Sequence, residues 1–191
     1  MRIFYLMGKS AAGKDTIYRK LSECFPMLRQ LIPYTTRPQR AGEAEGREYH
    51  FVSEARFLEL RYSGRIIEER AYQTEKGLWR YGSVDEGYGE DTLWLGIGTL
   101  ESYRKFCAYF GSERVIPLYL EVDAGERLKR SFAREQKEAV PCYAELVRRF
   151  QADEADYAED KLLAAGIKKR YRNAELGACL GELYEDMLQY V

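Results

Sequence analysis

Three residues near the start of the chain have the types and spacing needed to hold a polyphosphate. In GKSAAGKDT, residues 8–16, Gly8, Gly13 and Lys14 fit the spacing G-x-x-x-x-G-K. Glycines at these positions let successive backbone N–H groups turn inward on a phosphate. The helix that follows aims its positive end at the same anion, and the lysine reaches the terminal phosphates. Gly8, Ser10, Ala11, Ala12, Gly13, Lys14, Asp15 and Thr16 are therefore the candidate phosphate-binding residues. One of them breaks the pattern. Asp15 stands where a Ser or Thr hydroxyl ordinarily completes the shell of a bound Mg²⁺, and Thr16 comes one residue late. A carboxylate there can serve the metal directly or through water, or it can cap the start of the helix.

Such a loop needs a strand before it and a helix after it, and the sequence supplies both. Residues 2–7, RIFYLM, read as a buried parallel strand. Ile17, Leu21, Cys24 and Phe25 mark one face of a helix that stops at Pro26. Further strands are expected in RQLIP, YHFV, RIIEERA, DTLWLGI, RVIPLYLEV and near GIKKRY. Helices are expected after Ser53, over 100–110, after Asp123, over 143–165 and over 174–191. This alternation implies an α/β fold, a parallel sheet covered by helices with ligands at the carboxyl ends of its strands.

The 191 residues suit one domain, and their 46% hydrophobic content is ample for a core. Thirty Lys and Arg against 31 Asp and Glu leave a net charge of −1, which argues against a general nucleic-acid binder or a membrane-surface protein. No signal-peptide pattern and no apolar stretch of bilayer length occur, so the expected location is cytoplasmic. The four cysteines, at 24, 107, 142 and 179, show no metal-ligand spacing and read as reduced thiols, mostly buried or incidental.

A second polar stretch, YTTRPQRAGEAEGREYHFVS, residues 34–53, is too interrupted for a core element. Arg37 and Arg40, three residues apart, with Tyr49 following, suit a second phosphate group; a solvated surface loop would have the same composition.

This stretch resembles the nucleoside-monophosphate-binding segment of guanylate kinases, with the glycine loop at the expected distance before it. The resemblance implies a P-loop kinase three-layer fold. Its core would be 1–33, 91–124 and 151–191, its inserted acceptor-binding subdomain 34–90 and its helical lid 125–150. It also implies ATP-dependent phosphoryl transfer with Mg²⁺, with GMP as the acceptor, in a monomer or homodimer. Carried over by position, Arg37, Arg40 and Tyr49 would clamp the acceptor's phosphate, with Glu43 supporting the loop. In IIEERAYQTEKGLWRYGS, Glu68, with Glu69 as its rival, would accept from guanine's ring N–H and amino group, Ser83 would donate to its carbonyl, and Tyr81 would join the clamp. Arg130, Arg134 and Arg148, or Arg149 in its place, are the lid candidates, and Asn173 would lie near the adenine of ATP. His50 has no chemical role in this scheme.

The chain departs from the family in three places. Pro33 replaces a serine ahead of Thr35–Thr36–Arg37, and Gly96 and Gly98 replace two strand aspartates. These losses, together with Asp15, keep two other readings open: a ribose 1,5-bisphosphate kinase, whose glycine loop also reads Gly-Lys-Asp, and a guanylate-kinase-like module that binds without catalysing.

Overall fold

The computed structural model describes residues 1–40, 42–74, 77–138 and 141–190. In chain order its elements are β1 (Arg2–Gly8), α1 (Lys14–Cys24), β2 (Arg29–Gln30), β3 (Tyr34–Thr35), β4 (His50–Phe51), α2 (Glu54–Tyr62), β5 (Ile66–Thr74) and β6 (Gly77–Val84). There follow β7 (Leu93–Gly98), α3 (Leu100–Phe110), β8 (Val115–Glu121), α4 (Ala124–Glu135), α5 (Tyr143–Asp156), α6 (Glu159–Ala164), β9 (Tyr171–Arg172) and α7 (Leu176–Leu188).

Two sheets result. A five-stranded parallel sheet runs in the order β2-β7-β1-β8-β9, and a separate mixed sheet runs β4-β3-β6-β5. The central strand β1 shows why the parallel sheet is stable. Successive side chains point to opposite faces. Ile3, Tyr5 and Met7 enter one core with Tyr103, Phe106 and Ile167, while Phe4 and Leu6 enter the other with Ile17, Leu21 and Leu183. Both faces are covered, so β1 reads as an unbroken apolar run, and the loop after it emerges from a rigid base.

Several expected elements are shorter or divided. The strand read over 29–33 pairs only at Arg29 and Gln30, because Pro33 has no N–H to donate and the chain leaves the sheet. The helix read over 143–165 is two helices. The Tyr157 ring is buried and stacks on Tyr119 at 5.7 Å between centroids, and the chain must turn inward there to bury it. The closing helix begins at Leu176, not 174, because the Glu175 carboxylate accepts from the N–H groups of Gly177 and Ala178 and caps it. Val191, the expected end of that helix, lies outside the described residues.

Strands β3 and β6 were not expected: their polar sequences carry little apolar alternation. Pairing between them, from Tyr34–Gly82 to Thr35–Tyr81, stabilises both. Of the cysteines only Cys179 is buried; Cys24 and Cys142 are exposed, and all four are free thiols. Cys24 is the last residue of α1 and Cys142 stands at the start of α5, so of the two alternatives burial holds for Cys179 alone. No helix among the described residues is long and apolar enough to cross a membrane.

Candidate functional site

The glycine loop joins β1 to α1 at the carboxyl edge of the parallel sheet. Its glycines are there for two different reasons. A side chain at Gly8 would come within 2.7 Å of the Leu120 carbonyl on β8, so close strand packing excludes it. Gly13 has φ +89°, a left-handed conformation that glycine adopts without steric cost, and a Cβ there would also sit 2.5 Å from the Asn173 amide nitrogen. Ala11 takes the same left-handed region, at φ 61°, in spite of its Cβ.

Within the loop, Lys14 turns its ammonium back on the carbonyls of Gly8, at 2.7 Å, and Lys9, at 3.1 Å. Burial holds its pKa below the ordinary lysine value, although Asp153 and Asp15 pull the other way. Asn173, 5% exposed, donates from its amide to the Ala12 carbonyl at 2.8 Å, so this side chain braces the loop. Above lies a cavity of about 590 Å³ lined by Ser10, Ala11, Gly13, Lys14, Asp15, Thr16 and Asn173 and by three arginines, Arg130, Arg134 and Arg149. Arg130 and Arg134 come from α4, Arg149 from α5. Arg148 does not line this cavity: one residue along the helix, it is exposed and makes two hydrogen bonds of 2.7 Å to Glu145. That placement corrects the choice of Arg148 over Arg149, which an alternation of two adjacent arginines cannot decide without the helix's rotation.

Asp15 lines the same cavity from the first turn of α1. It is the acidic residue of that turn, where a carboxylate also faces the positive end of the helix. Among the described residues no group of three or more His, Cys, Asp or Glu is placed to hold a metal ion. Asp15 is a single, exposed carboxylate on this cavity, which would fit Mg²⁺, an ion that keeps several waters and takes few protein ligands.

The acceptor candidates lie on the mixed sheet and the loop beside it. Arg37, 4% exposed, forms a forked pair with Glu43 at 2.7 and 3.1 Å, donates to the Pro38 carbonyl at 2.8 Å, and stacks over Tyr49 at 5.4 Å. The hydrogen bonds to Glu43 raise its already high pKa, and those from Arg37 hold the Glu43 carboxyl below the usual range. The same carboxylate accepts from the Arg40 backbone N–H at 2.7 Å, while the Arg40 side chain is exposed. Tyr49 packs edge-on against Tyr81 at 5.7 Å.

Register decides between the two glutamates. A bulge between Ile66 and Glu68 sets Glu68 opposite Ser83, whose hydroxyl donates to it at 3.1 Å; Glu68 is 3% exposed. Glu69 faces the other way, onto Arg80 at 2.5 Å and Arg61 at 3.2 Å. Thus Glu68 and Ser83, read from different strands, meet inside the mixed sheet. His50 pairs with Glu45 at 2.8 Å.

Residues 1–84 match the guanylate kinase family model. That stretch, 84 of the 191 residues, is similar to guanylate kinases. It is similar to the guanylate kinase of Mycolicibacterium paratuberculosis, 42% identical over 83 residues, which are 44% of this chain and 36% of that protein. It is also similar to the guanylate kinase of Oleidesulfovibrio alaskensis, 46% identical over 66 residues, 35% of this chain and 32% of that protein. The chain thus matches about a third of the length of these relatives. The fold extends further than the sequence match. A crystal structure of guanylate kinase from Anaplasma phagocytophilum superimposes with a TM-score of 0.69 over 99% of this chain and 85% of that one, at 19% identity.

The two glycines on β7 have a cause in packing. A side chain at Gly98 would collide with the Tyr5 hydroxyl and lie 2.6 Å from the Ser102 hydroxyl; one at Gly96 would lie 3.1 Å from the Tyr5 ring and 2.9 Å from Leu31. Tyr5 is fully buried, donates to Ser102 at 2.8 Å, and has its pKa raised by burial. The Tyr5 side chain on β1 fills the room that a side chain at Gly98 would need and crowds one at Gly96.

Sequence reasoning missed a group of charges that ties α4 and α5 to the loop. Asp153 accepts from the Ser10 backbone N–H at 2.7 Å, Glu154 accepts from Lys9 at 2.6 Å, and the buried Arg127 guanidinium pairs with Glu154 while stacking over Phe150 at 4.6 Å. In sequence these are ordinary charges on two helices, with nothing to separate them from a solvated face.

Proposed function

We propose that the protein transfers the γ-phosphoryl group of Mg²⁺-bound ATP to the phosphate of a nucleoside monophosphate, GMP in the first place. The observation that carries this reading is the buried Glu68 carboxylate beside the Ser83 hydroxyl, on a chain whose glycine loop presents Lys14. Glu68 Oε2 is buried with no hydrogen-bond partner among the described residues, an acceptor that guanine's ring N–H and amino group would satisfy and adenine's edge would not.

Transfer needs positioning more than covalent help from the protein. Lys14 exchanges its loop carbonyls for the phosphates of ATP, Arg130, Arg134 and Arg149 neutralise charge on the moving group, and Asp15 takes a place in the metal's shell. Mg²⁺ supplies neutralisation of the β- and γ-oxygens. Arg37 and Tyr81 orient the acceptor's phosphate; its oxygen forms the new bond to phosphorus as the bond to ADP breaks. Closure of the lid over 125–150 excludes water.

The test is ADP release with ATP and Mg²⁺ across GMP, dGMP, AMP, CMP, UMP and ribose 1,5-bisphosphate. Turnover with GMP or dGMP and not with AMP is the expected result. Turnover only with the bisphosphate would select the sugar-phosphate reading, which Asp15 and the two glycines of β7 favour. GMP binding without turnover of any acceptor would select the non-catalytic module.

A further inference from the structure

One side chain already occupies the carboxylate that would read the base. Arg70 lies two residues after Glu68 on the same strand, so both project from the same face of the mixed sheet. Its Nε is 3.2 Å from Glu68 Oε2 and its Nη2 is 3.4 Å from Oε1. A guanidinium offers two adjacent N–H donors in a plane, the same pattern that guanine's ring N–H and amino group present. Arg70 therefore satisfies the charge of Glu68 with a chemical likeness of the base edge.

The likeness is imperfect. Arg70 Nε and Glu68 Oε2 are close but misaligned, and each is buried without a hydrogen-bond partner. A ligand edge that met Oε2 in line would gain a hydrogen bond that Arg70 does not make. The arginine also has somewhere to go. It lines a cleft of about 310 Å³ whose charged members are two carboxylates, Glu101 and Asp156, and two further cations, Arg104 and Lys161, and its positive charge already lowers the pKa of Glu101, although less than Lys105 does. Its side chain is 28% exposed against 2% for Glu68, so the guanidinium is the partner free to leave.

Resting on the reading of Glu68 as the base-reading carboxylate, we propose that Arg70 is an internal competitor for the base, displaced toward Glu101 and Asp156 when a guanine edge takes Glu68. Such a competitor lowers the affinity only of an acceptor that must take Glu68 from it, and a base with two aligned donors recovers part of that cost through the hydrogen bond to Oε2 that Arg70 does not make. Adenine, with a ring acceptor at that edge, does not displace Arg70 and is untouched by it.

Isothermal titration of GMP and AMP into the wild type, Arg70→Ala and Arg70→Gln at pH 8, with ATP titrated in parallel, tests this. Removing the competitor should tighten GMP about tenfold in Arg70→Ala, the gain expected if Arg70 holds Glu68 about nine-tenths of the time, and less in Arg70→Gln. AMP and ATP affinities should stay within twofold. In steady-state assays the gain should fall on the GMP KM and leave kcat unchanged. GMP bound equally or more weakly by both variants overturns the competitor. Absence of GMP binding in all three proteins, with ATP still bound, overturns the guanine reading itself and the competitor with it. The Gln variant keeps the length and polarity of the side chain, so the result stands if Arg70→Ala does not fold.

Discussion

The two ends of this molecule are prepared for anions in different ways. At the glycine loop the geometry is set by backbone: Gly8 against Leu120, Gly13 at φ +89°, Asn173 holding the Ala12 carbonyl, all mounted on a strand buried on both faces. At the mixed sheet the geometry is set by side chains that bind one another: Arg37 on Glu43, Arg70 on Glu68, Tyr49 on Tyr81. Backbone donors fixed by a core keep their aim whether or not a ligand is present. Side-chain forks must be kept in place by counter-charges, which a ligand then joins or displaces. The first region should lose function abruptly when altered, and the second by degrees.

The largest effect is expected at the loop. Lys14→Ala should reduce phosphoryl transfer about a thousandfold with an unchanged melting temperature, since the ammonium makes its bonds to loop carbonyls and not to the core. Activity within a few-fold of wild type would remove the loop from the mechanism and with it the contrast between the regions. The lid comes next. Arg149→Ala should lower kcat about a hundredfold while Arg148→Ala, on the exposed side of the same helix, stays within twofold; equal effects would show that the orientation of α5 does not matter to the reaction.

On the acceptor side, Arg37→Ala should raise the acceptor KM about tenfold with the ATP KM unchanged, because it removes one fork from a site built of several. A collapse as severe as that of Lys14→Ala would mean that the two regions are not built differently after all. The smallest effect concerns protons. Burial keeps the Lys14 pKa low in the free protein, and anionic phosphates would raise it again. Binding of ATP is then coupled to proton uptake, and affinity falls as pH rises through the lowered lysine pKa. Calorimetry of ATP binding at about pH 9 in two buffers of different ionisation enthalpy should show uptake in the wild type and none from this source in Lys14→Ala.

How much of this could be read without coordinates varies by region for the same reason. The loop was legible because its chemistry is local: strand, glycines, lysine and helix are consecutive, and each position follows from backbone sterics. The Arg37–Glu43 pair was legible in part, six residues apart in one loop. Strands β3 and β6, by contrast, form only because they pair across 46 to 48 residues, and the Asp153–Ser10 contact joins groups 143 residues apart. Charges on α4 and α5 follow the helical pattern of any exposed face, and only packing shows which of them turn inward.

The sequence by itself determined the phosphate loop, the α/β alternation, the apolar run of β1 and the residue types of both anion sites, because each depends on neighbours within about one turn or one strand. The tertiary structure alone decided that Glu68 faces Ser83 while Glu69 does not, that Arg149 and not Arg148 lines the cavity above the loop, that Tyr5 occupies the space opened by Gly96 and Gly98, and that Arg70 sits on the Glu68 carboxylate. Each of these turns on a rotation of one residue about a helix or a shift of one residue in a strand register, and a bulge or a packed ring far along the chain sets that rotation.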